Sequence, residues 1–153
     1  KDAGLAAFVA AAQKAAIDIA LADDIEVERW KKFVFLSSMA AANAATRQAI
    51  GPILADADMR GLLTDLLGEV VAVATARGVK LPADFAAERL RFAETVPPGM
   101  KASMLHDLER GNRLELDWLA GKVVALGREL GVATPASAAI YASLKPFRMG
   151  AGA

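Results

Sequence analysis

The chain contains no cysteine and a single histidine, and each scarcity excludes a kind of site. Without cysteine there is no disulfide framework and no thiolate metal site. One histidine, His106, cannot supply a metal site built from several histidines of one chain. No carboxylate stands at a spacing that would orient His106 for catalysis, so we interpret it as a partly exposed helix residue.

The sequence also has no excess of positive or negative charge, and it has no long apolar run. Lysine plus arginine and aspartate plus glutamate each number 18, so the formal net charge is zero. A neutral chain offers no broad basic face to a phosphate backbone, which disfavours nucleic-acid binding. The most apolar stretch, residues 33–46, is shorter than the roughly 20 residues that a transmembrane helix needs. The chain does not open on a signal-peptide pattern, and we expect a cytoplasmic protein with no membrane partner.

What the sequence has in abundance is alanine and leucine at helical spacing. Apolar residues make up 55% of its 153 residues, enough for one domain with its own core. Valine, isoleucine, threonine and tyrosine are too sparse to supply several strands. The composition therefore predicts an all-α fold, an irregular bundle of six or seven helices.

Apolar periodicity and breaker residues give the predicted elements. Helices are expected near residues 3–16, 25–48, 56–77, 84–95, 100–110, 113–130 and 134–145. The alternation of Ile17, Ile19 and Leu21 with small or acidic residues predicts one short strand or extended segment.

Polar residues at the predicted helix ends suggest how those ends are capped. Asp23 with Glu26 is a capping pair for the helix from residue 25, and that helix is expected to end near the Gly51-Pro52 break. Thr134 is the expected N-cap of the last helix, with a proline in the next position. Residues 148–153 are expected to be a frayed tail.

A lysine on an apolar helix face is the first candidate for chemistry. Lys32, Leu36, Ala40 and Asn43 share one face of the predicted helix. Desolvating an ammonium costs free energy unless it meets a partner, so Lys32 is a candidate general acid. The same spacing also fits a lysine that extends to water from the edge of a buried helix, and both interpretations stay open.

The second candidate is the polar stretch "KASMLHDLERGNRLELDW", residues 101–118. Asn112 and Glu115 stand at capping-box spacing, so the stretch fits the N-terminal cap of a helix that begins near residue 113. The same side chains would equally serve as half of a binding site, and spacing alone does not decide between the two.

Two stretches together carry a resemblance to a known family. "WKKFVFL", at residues 30–36, and "KASMLHDLERGNRLELDWLAGKVVALGRELGVATPASAAIYASLKP", at residues 101–146, resemble the C-terminal domain of the ketopantoate reductase (2-dehydropantoate 2-reductase) family. That domain has a 6-phosphogluconate dehydrogenase C-terminal-like fold. The resemblance implies a helical substrate-closing and dimerisation domain at 24–147, preceded at 1–23 by the end of a nucleotide-binding domain and followed at 148–153 by a tail.

The resemblance also implies an activity and roles for particular residues. The family reduces ketopantoate, a 2-keto acid, to pantoate in pantothenate biosynthesis, with NADPH bound mainly by an upstream domain, and often as a homodimer. Lys32 matches the catalytic lysine, Glu115 matches the carboxylate that assists at the substrate hydroxyl, and Ser103 matches a substrate-contacting serine. We expect Asn43, on the face of Lys32, to contact the substrate as well.

Two departures from the family pattern limit these expectations. Leu36 and Ala40 stand where the family often carries asparagine, and the alternative substrate is therefore a different 2-keto acid. No glycine-rich fingerprint follows a strand, so the chain is expected to bind no dinucleotide by itself and to be inactive alone. The alternative is a non-catalytic helical dimerisation module whose site residues are relics.

Overall fold

The computed structural model describes residues 2–151, and within them the chain forms eight α-helices and one short 3₁₀-helix. The α-helices are α1 Ala3–Lys14, α2 Ile25–Thr46, α3 Ile50–Ala55, α4 Ala57–Ala76, α5 Phe85–Ala93, α6 Ser103–Arg110, α7 Ala120–Leu130 and α8 Pro135–Leu144, and the 3₁₀-helix is Lys145–Phe147. This confirms the predicted all-α bundle. The helix count exceeds the expected six or seven because the sequence patterns predict no separate helix at α3.

The core is built around α2 and α4, which pack against each other and against α7 and α8. From Ser37 to Ala44 every residue of α2 is buried, because neighbouring helices surround this half of the helix on all sides. Most of these residues are alanine or serine, and their small side chains allow other helices to approach closely. The first half of α2 is buried on one side only, so this half is where α2 borders solvent-accessible space.

The helix α2 starts at Ile25, as predicted, but its capping residue differs from the predicted one. The carboxylate of Asp24 accepts hydrogen bonds from the backbone N–H groups of Glu26 at 3.0 Å and Val27 at 3.2 Å, so Asp24 rather than Asp23 is the N-cap. The helix ends where Arg47 adopts a left-handed backbone conformation, with φ of 57°.

A short helix, α3, occupies the predicted break at Gly51-Pro52. The loop before α6 satisfies the first N–H groups of α3: Ile50 N donates to the Met100 carbonyl at 3.0 Å and Gly51 N to the Pro98 carbonyl at 2.8 Å. Pro52 follows in the first turn, where a missing N–H is tolerated. A side chain at Gly51 would lie 2.6 Å from Pro98 Cβ, so only glycine allows this approach.

The predicted capping box at Asn112 does not form, and α7 begins at Ala120 rather than near residue 113. The Asn112 side chain instead donates to Asp107 Oδ1 at 3.2 Å. Leu114 N donates to the Arg148 carbonyl at 2.9 Å, so residues 112–115 follow an irregular path against the end of the chain.

The two terminal segments also differ from the expectations. Residues 17–22 form neither helix nor strand, so the strand alternative for this segment is wrong, while the extended segment stays a prediction; there is no strand anywhere in residues 2–151. Ala151 N donates to the Gly111 carbonyl at 2.8 Å, so residues 148–151 are held against the segment before α7 rather than frayed. Residues 152 and 153 of the predicted tail lie outside the described range. Between residues 2 and 151, no helix has both the length and the apolar character needed to cross a bilayer.

Candidate functional site

Lys32 lies at the boundary between two cavities that flank the first half of α2. The α2–α7 cavity has a volume of 420 Å³ and is lined by Glu26, Arg29, Trp30, Lys32, Phe33, Leu36, Arg77, Lys122 and Leu126. The α2–α6 cavity has a volume of 520 Å³ and is lined by Glu28, Lys31, Lys32, Phe35, Leu36, Met39, Arg89, Met100, Lys101 and Ala102. Lys32 and Leu36, one turn apart, border both cavities and are both exposed.

The wall of the α2–α7 cavity beside Lys32 is aromatic. The rings of Trp30 and Phe33 meet edge to face, with centroids 5.4 Å apart. The carboxylate of Glu26 accepts from Trp30 Nε1 at 3.3 Å and from Arg29 at 3.2 Å. By contrast, Lys32 has no ion pair with any residue in the described range 2–151. Its ammonium is therefore exposed and available to a bound molecule.

In the α2–α6 cavity the other cations are already paired. Lys31 contacts Glu28 at 2.7 Å, Lys101 contacts Glu109 at 2.8 Å, and Arg89 pairs with the neighbouring Glu88. The hydrogen bond from Lys101 holds the pKa of the Glu109 carboxyl below its usual value. The Arg89 guanidinium also lies over the rings of Phe85 and Phe92, 5.0 Å from each centroid.

Ser103 lies close to the α2–α6 cavity. It is the first residue of α6, its side chain is exposed, and the preceding residue, Ala102, lines the cavity. Ala102 therefore shares this cavity with Lys32, and Ser103 is the next residue in the chain although it is not itself part of the lining.

Asn43 is fully buried and holds the start of α6 against α2. Its Oδ1 accepts from Ala102 N at 2.9 Å, and its Nδ2 donates to the Gln48 carbonyl at 2.8 Å. These two contacts are with backbone groups of the protein itself. The structure therefore gives Asn43 a positioning role next to Ser103, and its expected contact with substrate stays a prediction.

Glu115 is not among the residues that line the two cavities. It is exposed, in the irregular segment before α7, and its carbonyl accepts from the N–H groups of Trp118 and Leu119. The first residue of α7, Ala120, shares a small space with Ser37 and Ala41 of α2. Glu115 therefore lies in the segment that leads into α7, the helix whose Lys122 and Leu126 line the α2–α7 cavity.

Four further residues bear on the character of the site. Leu36 keeps 42% of its surface exposed beside Lys32, whereas Ala40 is buried. Arg77, which caps the end of α4, and Lys122, in the first turn of α7, complete the α2–α7 cavity. The sequence patterns do not single out Arg77 or Lys122, because only the packing of α4 and α7 brings them next to α2.

Comparisons with known proteins agree with the fold. A family profile described as ketopantoate reductase PanE/ApbA C terminal matches residues 24–148. An uncharacterised oxidoreductase of Bacillus subtilis, YkpB, is 30% identical over 130 residues, which cover 85% of this chain and 43% of that protein. A 2-dehydropantoate 2-reductase of Pyrobaculum aerophilum is 33% identical over 127 residues, which cover 83% of this chain and 45% of that protein.

A solved structure shows the same similarity in three dimensions. A dimeric ketopantoate reductase from Staphylococcus aureus superposes with a TM-score of 0.87 at 25% identity, over 97% of this chain and 51% of that one. The chain thus spans about half the length of the curated relatives and the solved chain that it matches.

Proposed function

Because this chain belongs to the ketopantoate reductase family, as its C-terminal domain, we propose that it forms the substrate side of an NADPH-dependent reductase of a small 2-keto acid. The proposed reaction is the reduction of ketopantoate to pantoate in pantothenate biosynthesis. The observation that carries the proposal is the position of Lys32: an exposed ammonium between two cavities, inside the matched range 24–148.

The proposed role of Lys32 follows from the charge that the reaction creates. Reduction of a ketone places negative charge on its oxygen, and a positioned acid or cation stabilises that charge. The Lys32 ammonium has no internal carboxylate partner in residues 2–151, so it is available to donate a proton or a hydrogen bond to this oxygen. Ser103, which follows the cavity-lining residue Ala102, is proposed to contact the substrate.

Glu115 is proposed to assist at a substrate hydroxyl, as the resemblance implies. Its carboxylate is exposed, on a segment that leads into α7. It lines neither cavity, so this role requires the substrate to extend from Lys32 towards the start of α7.

The binding site for the cofactor is proposed to lie in another domain of the enzyme. Residues 2–151 contain no strand followed by a glycine-rich turn, so the residues present do not form a dinucleotide-binding turn. We propose that a preceding domain binds the NADPH, which supplies the hydride, and that the 153-residue chain alone does not turn over substrate.

The test is a Lys32→Ala substitution in a protein that joins this chain to a nucleotide-binding domain of the family. We expect kcat for the 2-keto acid to fall about 10²- to 10⁴-fold, the range for loss of a positioned acid. Turnover is measured as the substrate-dependent loss of NADPH absorbance. The control is Lys80→Ala, an exposed lysine that lines neither cavity. Equal turnover in the two variants would refute the role of Lys32.

A different 2-keto acid is the second candidate substrate, and Leu36 favours it. An exposed leucine beside Lys32 presents an apolar contact where the family often has an amide. The same assay, run with ketopantoate and with a 2-keto acid that has a purely alkyl side chain, discriminates between the two substrates by their kcat/KM values.

A non-catalytic helical dimerisation module is the remaining alternative, and a homodimer is proposed for the enzyme as well. Apolar side chains are exposed on α1, where Phe8 keeps 61% of its surface accessible, and before α7, where Trp118 keeps 72%. Surfaces of this kind are often covered by another subunit or domain. Full activity of the joined protein with Lys32 replaced by alanine would favour the structural module.

A further inference from the structure

We infer that the α2–α7 cavity binds a small organic phosphate, with Lys32, Arg77 and Lys122 around the phosphate group and the apolar cavity wall against the rest of the molecule. This inference goes beyond the proposed reduction, since it concerns a binding site and two residues to which the reaction gives no role. It can be tested by binding to the 153-residue chain, without turnover.

The first observation is a surplus of positive charge in one cavity. Lys32 comes from α2, Arg77 from the end of α4 and Lys122 from the start of α7, and all three are exposed. None of the three has an ion pair with another residue of the described range 2–151. The one carboxylate in the cavity lining, Glu26, is already bonded to Arg29 and to the indole of Trp30.

The second observation is the contrast with the α2–α6 cavity. Cations are as frequent in its lining, but Lys31, Arg89 and Lys101 each have a carboxylate partner. An anion entering that cavity would have to compete with these partners. An anion entering the α2–α7 cavity meets three cations that have none, so the balance of charge favours the α2–α7 cavity.

The third observation concerns the class of anion. A phosphate monoester carries a charge of about −1.5 to −2 at neutral pH, whereas a carboxylate carries one, so the phosphate matches several cations better. Charge-assisted bonds to arginine and lysine are also the usual means of holding phosphate. The cavity volume of 420 Å³ lies within the range of about 300–1,000 Å³ that is usual for small-molecule sites.

The fourth observation is the apolar wall. Trp30, Phe33, Leu36 and Leu126 line the side of the cavity formed by α2 and α7. Inorganic phosphate would leave this surface in contact with water, whereas an apolar or aromatic group attached to the phosphate would cover it. The ligand is therefore expected to be a phosphate ester with an apolar body.

Calorimetric titration with phenyl phosphate tests the inference. We expect saturable binding with a Kd of about 1 mM or tighter, and about tenfold weaker binding of both inorganic phosphate and phenol, since each offers only half of the required chemistry. A Trp118→Phe variant leaves Trp30 as the remaining one of the chain's 2 tryptophans, so a change in its fluorescence on binding locates the ligand at the cavity.

Substitutions then identify the residues that bind the phosphate. Arg77→Gln and Lys122→Gln should each weaken phenyl phosphate binding by about tenfold, as expected for loss of one charge-assisted hydrogen bond. The matched controls are Lys80→Gln, close to Arg77 in sequence, and Arg128→Gln, on the same helix as Lys122; both are exposed and outside the cavity. Circular dichroism checks that all four variants fold.

Either of two results would overturn the inference: no saturable binding of phenyl phosphate to the unsubstituted chain, or equal weakening by the cavity variants and their controls. Both results come from measurements of ligand binding alone. They are therefore distinguishable from a failure of the proposed reduction, which is tested by the turnover of the joined protein.

Discussion

At the scale of single residues, Asn43 connects the site to the stability of the fold. Its side-chain oxygen accepts a hydrogen bond from the backbone at the start of α6, and its nitrogen donates to the Gln48 carbonyl just after α2. An alanine at this position would leave the Ala102 N–H and the Gln48 carbonyl without these partners. Because Ser103 follows Ala102 directly, the same change would loosen a residue of the candidate site.

We therefore expect Asn43→Ala to lower the free energy of unfolding by about 2–3 kcal/mol, measured by urea denaturation. The control is Asn112→Ala, which removes an exposed hydrogen bond to Asp107 and should cost less than about 1 kcal/mol. Similar losses in both variants would show that the Asn43 bridge does not stabilise the native state more than a surface contact.

The sequence predicts the candidate site only in part, for reasons that these residues make clear. The sequence predicts that Lys32 and Leu36 share one helix face, because the face of a single helix follows from the spacing of residues within it. The role of Asn43 depends on Ala102, which lies 59 positions further along the chain, and no local pattern contains that contact. Arg77 and Lys122 remain unpredicted for the same reason, since each joins the cavity only through the packing of its helix.

At the scale of helices, α8 depends on a residue of another element for its cap. Thr134 occupies the N-cap position, as predicted, but its side chain makes no capping hydrogen bond. The carboxylate of Glu69, on α4, instead accepts from Ala136 N at 2.7 Å, from Ser137 N at 2.9 Å and from the Ser137 hydroxyl at 2.6 Å. A negative group at a helix N-terminus is also favoured by the helix dipole.

Replacing Glu69 with alanine should therefore destabilise the protein by about 2–3 kcal/mol, because two backbone donors and one hydroxyl lose a charged acceptor. Glu69→Gln should cost less, since one acceptor oxygen remains. Urea denaturation followed by circular dichroism gives both values. Glu129→Ala, an exposed glutamate on α7, is the control, and a loss as large as that of Glu69→Ala would contradict the capping role.

Some helices follow from local sequence and others do not. The prediction of 56–77 for α4 is confirmed within a residue, because Asp56 caps its start with bonds to Asp58 N at 3.0 Å and Met59 N at 2.9 Å, and Gly78, with φ of 89°, ends it. The start of α7 is wrong by several residues, because Asn112 and Leu114 bond to other segments. Capping signals in the local sequence thus predict a helix boundary correctly where no tertiary contact competes for the same backbone groups.

At the scale of the whole molecule, the two ends of the chain differ in their attachment to the bundle. None of the closely packed helix pairs includes α1, and Leu5 and Phe8 of α1 keep 52% and 61% of their surfaces exposed. The opposite end is held by backbone hydrogen bonds, from Leu114 N to the Arg148 carbonyl and from Ala151 N to the Gly111 carbonyl. The bundle is therefore expected to need its C-terminal segment more than its first helix.

Two truncations test this expectation together with the predicted domain boundary at residue 24. A chain that begins at Asp24 keeps the cap of α2, so we expect its free energy of unfolding to differ from that of the full chain by less than about 1 kcal/mol. A chain that ends at Phe147 loses both backbone bonds and the ion pair of Arg148 with Asp117, and it should be about 2 kcal/mol less stable. Urea denaturation measures both, with the full chain as the reference. If the first truncation abolished cooperative unfolding while the second left stability unchanged, α1 would belong to the folding unit and the boundary at residue 24 would be wrong.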